Sequence, residues 1–358
     1  MKQMNIAIIG QGRSGRNIHG KFFRSEANDF CKVVCIAERD EFRRQRAAEE
    51  FGCDTVADYR EFYNREDIDL VVNASYSQEH YAITKDLLSH GKNVLCEKPF
   101  ARSHFECMEL IQIAKEKGAV AAVFHQSLYS PAYLHVKEVI ESGVLGEVYQ
   151  INLKYSGFAR RWDWQTLQCN CAGGIYNSGP HPIGQALDLL GWDENTRVAF
   201  SKLGTALTSG DSDDCAKIIL SAPGKPFVDI EVNSADAFAN DFVFKIFGTK
   251  GTLLSSNSDY KLKYIPDFSV YPERPVIRQS LSGANGEPIY CSEKLSFTEE
   301  AEKIVGTSFD SAVERFYRMA YAAVMEGQPL DITPEHAAQV IRVIEECHAA
   351  NPLPVKFL

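Results

Sequence analysis

The feature that most constrains this chain is its first forty residues. Ile6-Ala7-Ile8-Ile9 is an apolar strand-like run, Gly10-Gln11-Gly12-Arg13-Ser14-Gly15 follows at once, and residues 16–23 can open a helix. Lys32-Val33-Val34-Cys35-Ile36-Ala37 is a second strand-like run, ending at Glu38. Gly10 permits a tight turn, Gly12 lets the backbone approach a pyrophosphate, Gly15 allows helix and strand to pack closely, and the phosphate charge faces the helix N-terminus. Glu38 stands about 20 residues past the last motif glycine, where a carboxylate accepts from the adenosine ribose hydroxyls. A glycine hexapeptide alone is a chance turn. Strand, glycines, helix, strand and acid in this order specify dinucleotide binding, with Gln11, Arg13 and Ser14 as further contacts. Glu38 would repel a 2′-phosphate whereas Arg39 or Arg43 could pair with one, so the expected cofactor is NAD, with NADP left open.

The alternation continues. Helical patterns at 43–51, 58–63, from Glu79-His80, and at 103–117 separate short apolar runs at 55–56, 68–73, 93–96 and 119–124. Ser103 and Glu106 form a capping box and Gly118 a stop. This is the pattern of a doubly wound parallel domain over residues 1–125. Such sheets bind ligands outside the carboxyl ends of their strands. That makes Ser75, His80, Glu97 and Lys98 candidates for the cofactor and points Lys98 into the crevice. In isolation Glu97-Lys98-Pro99 reads first as a solvated strand exit with a turn proline, and the motifs around it shift that reading.

From Val148 the pattern changes. Strand-like runs at 149–155, 198–203, 215–220, 227–232 and 242–247 follow one another with few helices, which predicts an antiparallel sheet in a second domain, 126–358. Within it, residues 309–326 and a segment opened by Thr333 and Pro334 and running to 349 read as helices packing back toward the first domain. Residues 255–293 are the least periodic, a loop or arm. In Gly173-Gly174-Ile175-Tyr176-Asn177-Ser178-Gly179-Pro180-His181-Pro182, Pro182 suits the first position of a helix and His181 its cap. A helix N-terminus disfavours imidazolium, and a neutral imidazole can act as general base; a purely capping histidine fits the same spacing. Arg160-Arg161-Trp162-Asp163-Trp164-Gln165 sets aromatic rings beside charges, suited to a polyhydroxylated ligand and equally to a packing loop. Tyr155, His125 and Tyr129 are weaker candidates.

Composition removes other classes. Lys and Arg number 38 against 48 Asp and Glu, a net charge of -10 without a basic block, so neither nucleic acid nor an anionic membrane is an expected partner. No apolar run approaches the roughly 18 residues of a membrane span. The start runs straight into a strand with no leader pattern, so the expected compartment is cytoplasmic. Ten cysteines at irregular spacing fit reduced thiols. Cys169-Asn170-Cys171 has no second pair to complete a zinc site, so no metal is expected.

With these residues in view, the sequence resembles the Gfo/Idh/MocA oxidoreductases, the family of glucose-fructose oxidoreductase and inositol dehydrogenases, over essentially the whole chain. The carriers are Gly10 to Gly15, Glu97-Lys98-Pro99, Gly143-Val144-Leu145-Gly146-Glu147-Val148, Gly173-Gly174 followed by Asn177 and His181, and Phe247-Gly248-Thr249-Lys250-Gly251-Thr252. The resemblance implies a Rossmann domain followed by a large open, mainly antiparallel sheet. That sheet would hold a small sugar-like substrate against the nicotinamide and pair subunits as a homodimer or homotetramer. It further implies hydride transfer between NAD(P) and a secondary hydroxyl or ketone of a sugar, sugar acid or inositol. Lys98 would stabilise the alkoxide, His181 would act as general base or acid, and Glu97 would orient Lys98 or the cofactor. Tyr155, Arg160, Arg161, Trp162, Asp163 and Asn177 join Lys98 and His181 as substrate contacts. Two positions depart from the family pattern: many members carry Asp where Asn177 stands, and another three residues after the histidine, where this chain has Gly184. Two other readings stay open: an enzyme that retains NAD and uses transient oxidation for elimination or hydrolysis of a glycoside, and a non-catalytic nucleotide-binding sensor or assembly subunit.

Overall fold

Six short runs of the first third pair side by side as the alternation requires. They are β1 (Met4–Ile9), β2 (Cys31–Ala37), β3 (Asp54–Val56), β4 (Leu70–Asn73), β5 (Val94–Cys96) and β6 (Ala121–Val123). A computed structural model describes residues 2–238, 241–306 and 309–357. In it these strands form a parallel sheet of order β3-β2-β1-β4-β5-β6. β4 and β5 are buried along their whole length, which is why they read as continuous apolar runs with no alternation. The strand order reverses between β1 and β4, where such sheets open a ligand crevice.

Between the strands run α1 (Gly20–Phe23), α2 (Glu41–Phe51), α3 (His80–Ser89) and α4 (His104–Lys117). α4 carries the expected capping box, Ser103 with Glu106, and ends on a left-handed Gly118. Two elements differ from expectation. The helix after the glycine turn begins at Arg13, and its first stretch, Arg13–His19, is π-helical, closed by Gly20 N–H to Gly15 O. A β-carbon on Gly20 would stand 2.8 Å from that oxygen, so the wide turn depends on a residue without one. Residues 58–63 form only a 3₁₀ turn, Tyr59–Phe62, because both tyrosine hydroxyls, Tyr59 and Tyr63, are drawn onto Asp86 of α3.

α5 (Pro131–Glu141), capped by Ser130 and buried through Tyr133, Val136 and Val139, leads into the second half and lies before the stretch from Val148 for which few helices were expected. The second sheet contains β7 (Val148–Ser156), β8 (Arg197–Gly204), β9 (Cys215–Ser221), β10 (Phe227–Asn233), β11 (Phe244–Gly248), β12 (Gly251–Ser255) and β13 (Asp259–Tyr264). A small hairpin, β14 (Leu281–Ser282) with β15 (Pro288–Ile289), precedes its last strand, β16 (Thr298–Lys303). The sheet order is β16-β13-β12-β11-β7-β10-β9-β8, antiparallel except for β7 against β10. Residues 255–293 are therefore partly strand and not only loop or arm. β16 escaped the sequence pattern because all six of its residues are exposed, leaving no apolar alternation to read.

α6 (Gly174–Asn177) and α7 (Pro180–Leu189) lie on the inner face of this sheet, over Ile151, Leu153, Ile218 and Ile230. α8 (Phe309–Glu326) and α9 (Pro334–Ala350) close the structure. α8 ties to the first domain through Lys21–Asp310 at 2.8 Å and Tyr321 Oη to Lys2 O at 2.6 Å. α9, started by Thr333 and Pro334 as expected, packs on α4, α7 and β8. Among the described residues no helix is long and apolar enough to cross a membrane.

Candidate active site

A cleft of about 1710 Å³ runs from the glycine turn across the carboxyl ends of β1, β4 and β5 to the inner face of the second sheet. Gly10 has φ +89°, and a β-carbon there would lie 2.5 Å from Ala74 O, so the turn closes only without a side chain. Gly15 packs its α-carbon against the Gly10 carbonyl, while around Gly12 nothing lies within 4 Å of where a β-carbon would be. This open approach over Gly12 fits a dinucleotide phosphate, with Arg13 and Ser14 lining the same wall. Gly12→Val should therefore fold with an unchanged Tm yet bind NAD about tenfold more weakly or worse by calorimetry. An unchanged Kd would remove this turn from the binding site.

At the end of β2 the Glu38 carboxylate accepts from Gln11 N–H at 2.7 Å and Asp40 N–H at 3.0 Å. It is thereby fixed at the cleft edge. Arg39 is paired with Glu79 at 2.9 Å across the cleft, and Arg43 lines the same end. Of the expected cofactor residues, Gly10, Gly12, Arg13, Ser14, Glu38, Arg39, Ser75, His80, Glu97 and Lys98 line the cleft. Gln11 and Gly15 sit behind it as supports. His80 is 2% exposed and its ring nitrogens face two carbonyls, Pro99 O at 2.7 Å and Ser75 O at 3.3 Å; burial lowers its pKa, and the single N–H of the neutral ring serves one of them.

The chemical end is organised around Lys98, joined to Pro99 by a cis peptide bond. Its Nζ donates to Asn177 O at 2.7 Å, bridging β5 to the last residue of α6. Burial lowers the Lys98 pKa; Glu97 opposes that and Arg13 adds to it. The Glu97 carboxylate accepts from Lys98 N–H at 3.1 Å and meets His19 Nε2 at 3.1 Å, while His19 Nδ1 meets Tyr317 Oη at 2.6 Å. Burial alone would neutralise Glu97, but His19, Lys98 and His80 outweigh it and hold its carboxyl down to about 2. Glu97 is thus a fixed charge beneath Lys98. His19 and Tyr317 were not foreseen, because residues from three distant segments meet only in the folded core.

His181 lies inside the first turn of α7, since Pro180, not Pro182, takes the first position and Gly179 is the cap. The expectation that His181 caps the helix is corrected. Its pKa is driven well below 6.5 by burial, then by Lys98 and His125, against Glu97. Ser127 Oγ lies 3.1 Å from Nδ1, so in the tautomer that donates there Nε2 carries the lone pair. Tyr155 stacks on the ring at 6.2 Å. The missing acid at Gly184 has a structural counterpart: a β-carbon there would stand 3.3 Å from His125 Nδ1, so the imidazole of His125 occupies the space next to it. His125 is itself pushed to about 4, by burial and then by Lys98, and does not supply the absent negative charge.

Only part of the Arg-Trp-Asp-Trp stretch reaches the cleft. Arg161, Asp163, Trp164 and Gln165 line it, whereas Arg160 and Trp162 do not, Trp162 being 78% exposed. Arg161 is paired with Asp163 at 2.8 Å and donates to Gln165 Oε1 at 2.6 Å, and Gln165 Nε2 donates to Asn177 Oδ1 at 3.2 Å. These three side chains form a hydrogen-bonded bar across the cleft wall.

A buried acid run that gave no functional signal in sequence, Asp211, Asp213 and Asp214, lies beneath this wall, and its middle member holds the start of α6, the helix that carries Asn177. Asp211 accepts from Gln168 and Lys356 N–H, and Asp214 from three successive N–H groups, Ala206, Leu207 and Thr208, each at 2.6 Å. Asp213 accepts from Ile175 N–H at 2.7 Å and fills the space left by Gly173 at φ +120°. Burial raises the Asp213 carboxyl to about 7, against its backbone hydrogen bonds. The folded state therefore binds this proton more tightly than the unfolded state, and stability falls as pH rises from about 4 to about 7. Asp213→Asn should raise Tm at pH 8 by about 2–5 °C and leave it unchanged near pH 4. Equal effects at both pH values would contradict a protonation origin.

A Rossmann domain whose cleft ends on an ammonium and a neutral imidazole, facing an open sheet, defines an NAD-binding oxidoreductase of two domains. The chain belongs to the Gfo/Idh/MocA oxidoreductase family: residues 4–125 match its NAD-binding Rossmann-fold domain and 133–254 its C-terminal domain. The chain is 24% identical over 346 residues to the scyllo-inositol 2-dehydrogenase (NADP(+)) IolW of Bacillus subtilis, covering 96% of this chain and 92% of that one. It is 26% identical over 258 residues to the 2,7-anhydro-N-acetylneuraminate hydratase of Mediterraneibacter gnavus, covering 71% and 67%. An NAD-binding protein of Listeria innocua shares the fold with a TM-score of 0.78 over 98% of both chains, at 21% identity.

Proposed function

We propose that the protein transfers a hydride between NAD(P) and a secondary hydroxyl or ketone of a sugar, sugar acid or inositol. One observation carries this reading: Lys98 and His181 both line the cleft, and the Lys98 ammonium is moored to the carbonyl of Asn177, four residues before His181. When bound, the nicotinamide supplies the acceptor or donor of the hydride. With one N–H spent on Asn177, Lys98 has two left to hold the substrate oxygen and to stabilise the charge that develops on it. His181, neutral at working pH, takes the hydroxyl proton at Nε2 while Ser127 keeps the ring oriented. Arg161 and Asn177 offer hydrogen bonds to neighbouring hydroxyls. The similarity to an inositol dehydrogenase supports a polyol substrate. Subunit association through the outer face of the second sheet is supported by its half-exposed apolar side chains, Phe200, Ile219 and Phe247, among lysines.

Oxidation needs neutral His181 and charged Lys98. As pH falls through the depressed His181 value the rate should drop, and as pH rises through the lowered Lys98 value it should drop again. The expected kcat profile is a plateau with its acid limb well below pH 6.5 and its alkaline limb below 10.5. An acid limb above pH 7 would exclude His181 as the base.

The reading is tested by following absorbance of the reduced nicotinamide while a panel of sugars, uronic acids, inositols and their keto forms is added to the purified protein. Turnover with one substrate class is expected. The similarity to a hydratase favours a second reading, NAD retained for transient oxidation during elimination or hydrolysis of a glycoside. Substrate conversion with no net change in added NAD would select it.

A further inference from the structure

Behind the Arg161–Gln165–Asn177 bar lies a second chamber of about 380 Å³, which shares those three residues, Tyr155 and Ser178 with the main cleft. Its size falls within the range of about 300–1,000 Å³ typical of small-molecule sites. Both cations in its wall are already paired, Lys154 with Asp236 at 2.6 Å and Asp241 at 2.8 Å, and Arg161 with Asp163 at 2.8 Å. Asp213 and Asp214 also face this side. A phosphate or carboxylate would find no free counter-charge there among the described residues. What the wall offers is neutral and polar. Asn233 spends its Oδ1 on Ala235 N–H and keeps its amide hydrogens, and Ser178 and Ser234 line the same wall. Val232 and Val243 add an apolar patch of the kind that meets the C–H face of a sugar ring.

We propose that this chamber binds the second ring of a neutral glycoside, so that the preferred substrate is a two-unit polyhydroxylated molecule whose linkage crosses the Arg161–Gln165–Asn177 bar. The inference rests on the sugar-directed reading above and narrows its substrate class. One ring lies at Lys98 and His181. The other lies beyond Asn177, whose uncharged side chain accepts from Gln165 and adds no charge between the two.

Calorimetry on the NAD-loaded protein, with maltose, cellobiose and lactose against glucose and galactose, tests it. Asn257→Trp is the chosen variant, because Asn257 stands exposed at the chamber rim in the turn after β12 and a large ring there blocks the chamber without touching Lys98 or His181. At least one disaccharide is expected to bind about tenfold more tightly than its component monosaccharides, and Asn257→Trp to reduce that ratio to about threefold or less. Equal affinities, a ratio insensitive to Asn257→Trp, or no disaccharide binding would overturn the proposal. Reduced-nicotinamide absorbance recorded on the same samples separates the two failures. Disaccharide preference without any redox change contradicts hydride transfer and leaves the two-ring site standing.

Discussion

Lys98→Met should lower kcat by about 10²–10³-fold while the Kd for NAD changes by less than about threefold. The variant keeps the length of the buried stem and removes only the charge and its hydrogen bonds. Glu97 stays satisfied without it, since His19 and the backbone N–H of residue 98 still donate to the carboxylate. The fold is therefore retained and the loss falls on the alkoxide, which no longer meets a cation in a cleft that screens charge poorly. Stopped-flow reduction of bound NAD measures kcat, and calorimetry the Kd. A Kd weakened in step with kcat would make Lys98 a cofactor contact and not a catalytic group.

His181→Ala should cost about 10²–10⁴-fold in kcat and erase the acid limb of the pH profile. Alanine suits the first turn of α7, so helix and packing survive. Among the described residues no carboxylate pairs with the imidazole, His125 lying beside Gly184, so the proposed proton transfer relies on His181 and its Ser127 partner. Exogenous imidazole should restore part of the rate. A His181→Ala enzyme that keeps both its rate and its acid limb would place the base elsewhere.

The first domain was legible because its determinants are local. The glycine turn, the apolar runs ending at Glu38 and Lys98, and the cap at Ser103 each need only neighbouring residues. Lys98 stood out as the residue after a short apolar strand, and His181 as a histidine between two prolines whose proposed role came from the family resemblance; its place in α7 differs from expectation because Pro180, not Pro182, takes the first helical position. The supports were not legible. Glu97 is held ionised in part by His19, whose other ring nitrogen meets Tyr317 of α8, about 300 positions away in sequence, and the start of α6 rests on Asp213, one of an acid run that looks like ordinary surface charge until backbone N–H groups fold onto it. β16 was invisible for the opposite reason, since a strand exposed on both faces carries no alternation.

The central claim is that a hydride moves between nicotinamide and a substrate carbon held by Lys98 and His181. The most direct measurement is mass-spectrometric analysis of the product formed from a keto sugar with NADH deuterated at the transferable C4 position, in ordinary water. One deuterium bound to the new carbinol carbon is the expected result, formed about 10²-fold or more slowly by Lys98→Met and His181→Ala. Converted product that carries no deuterium would contradict the account.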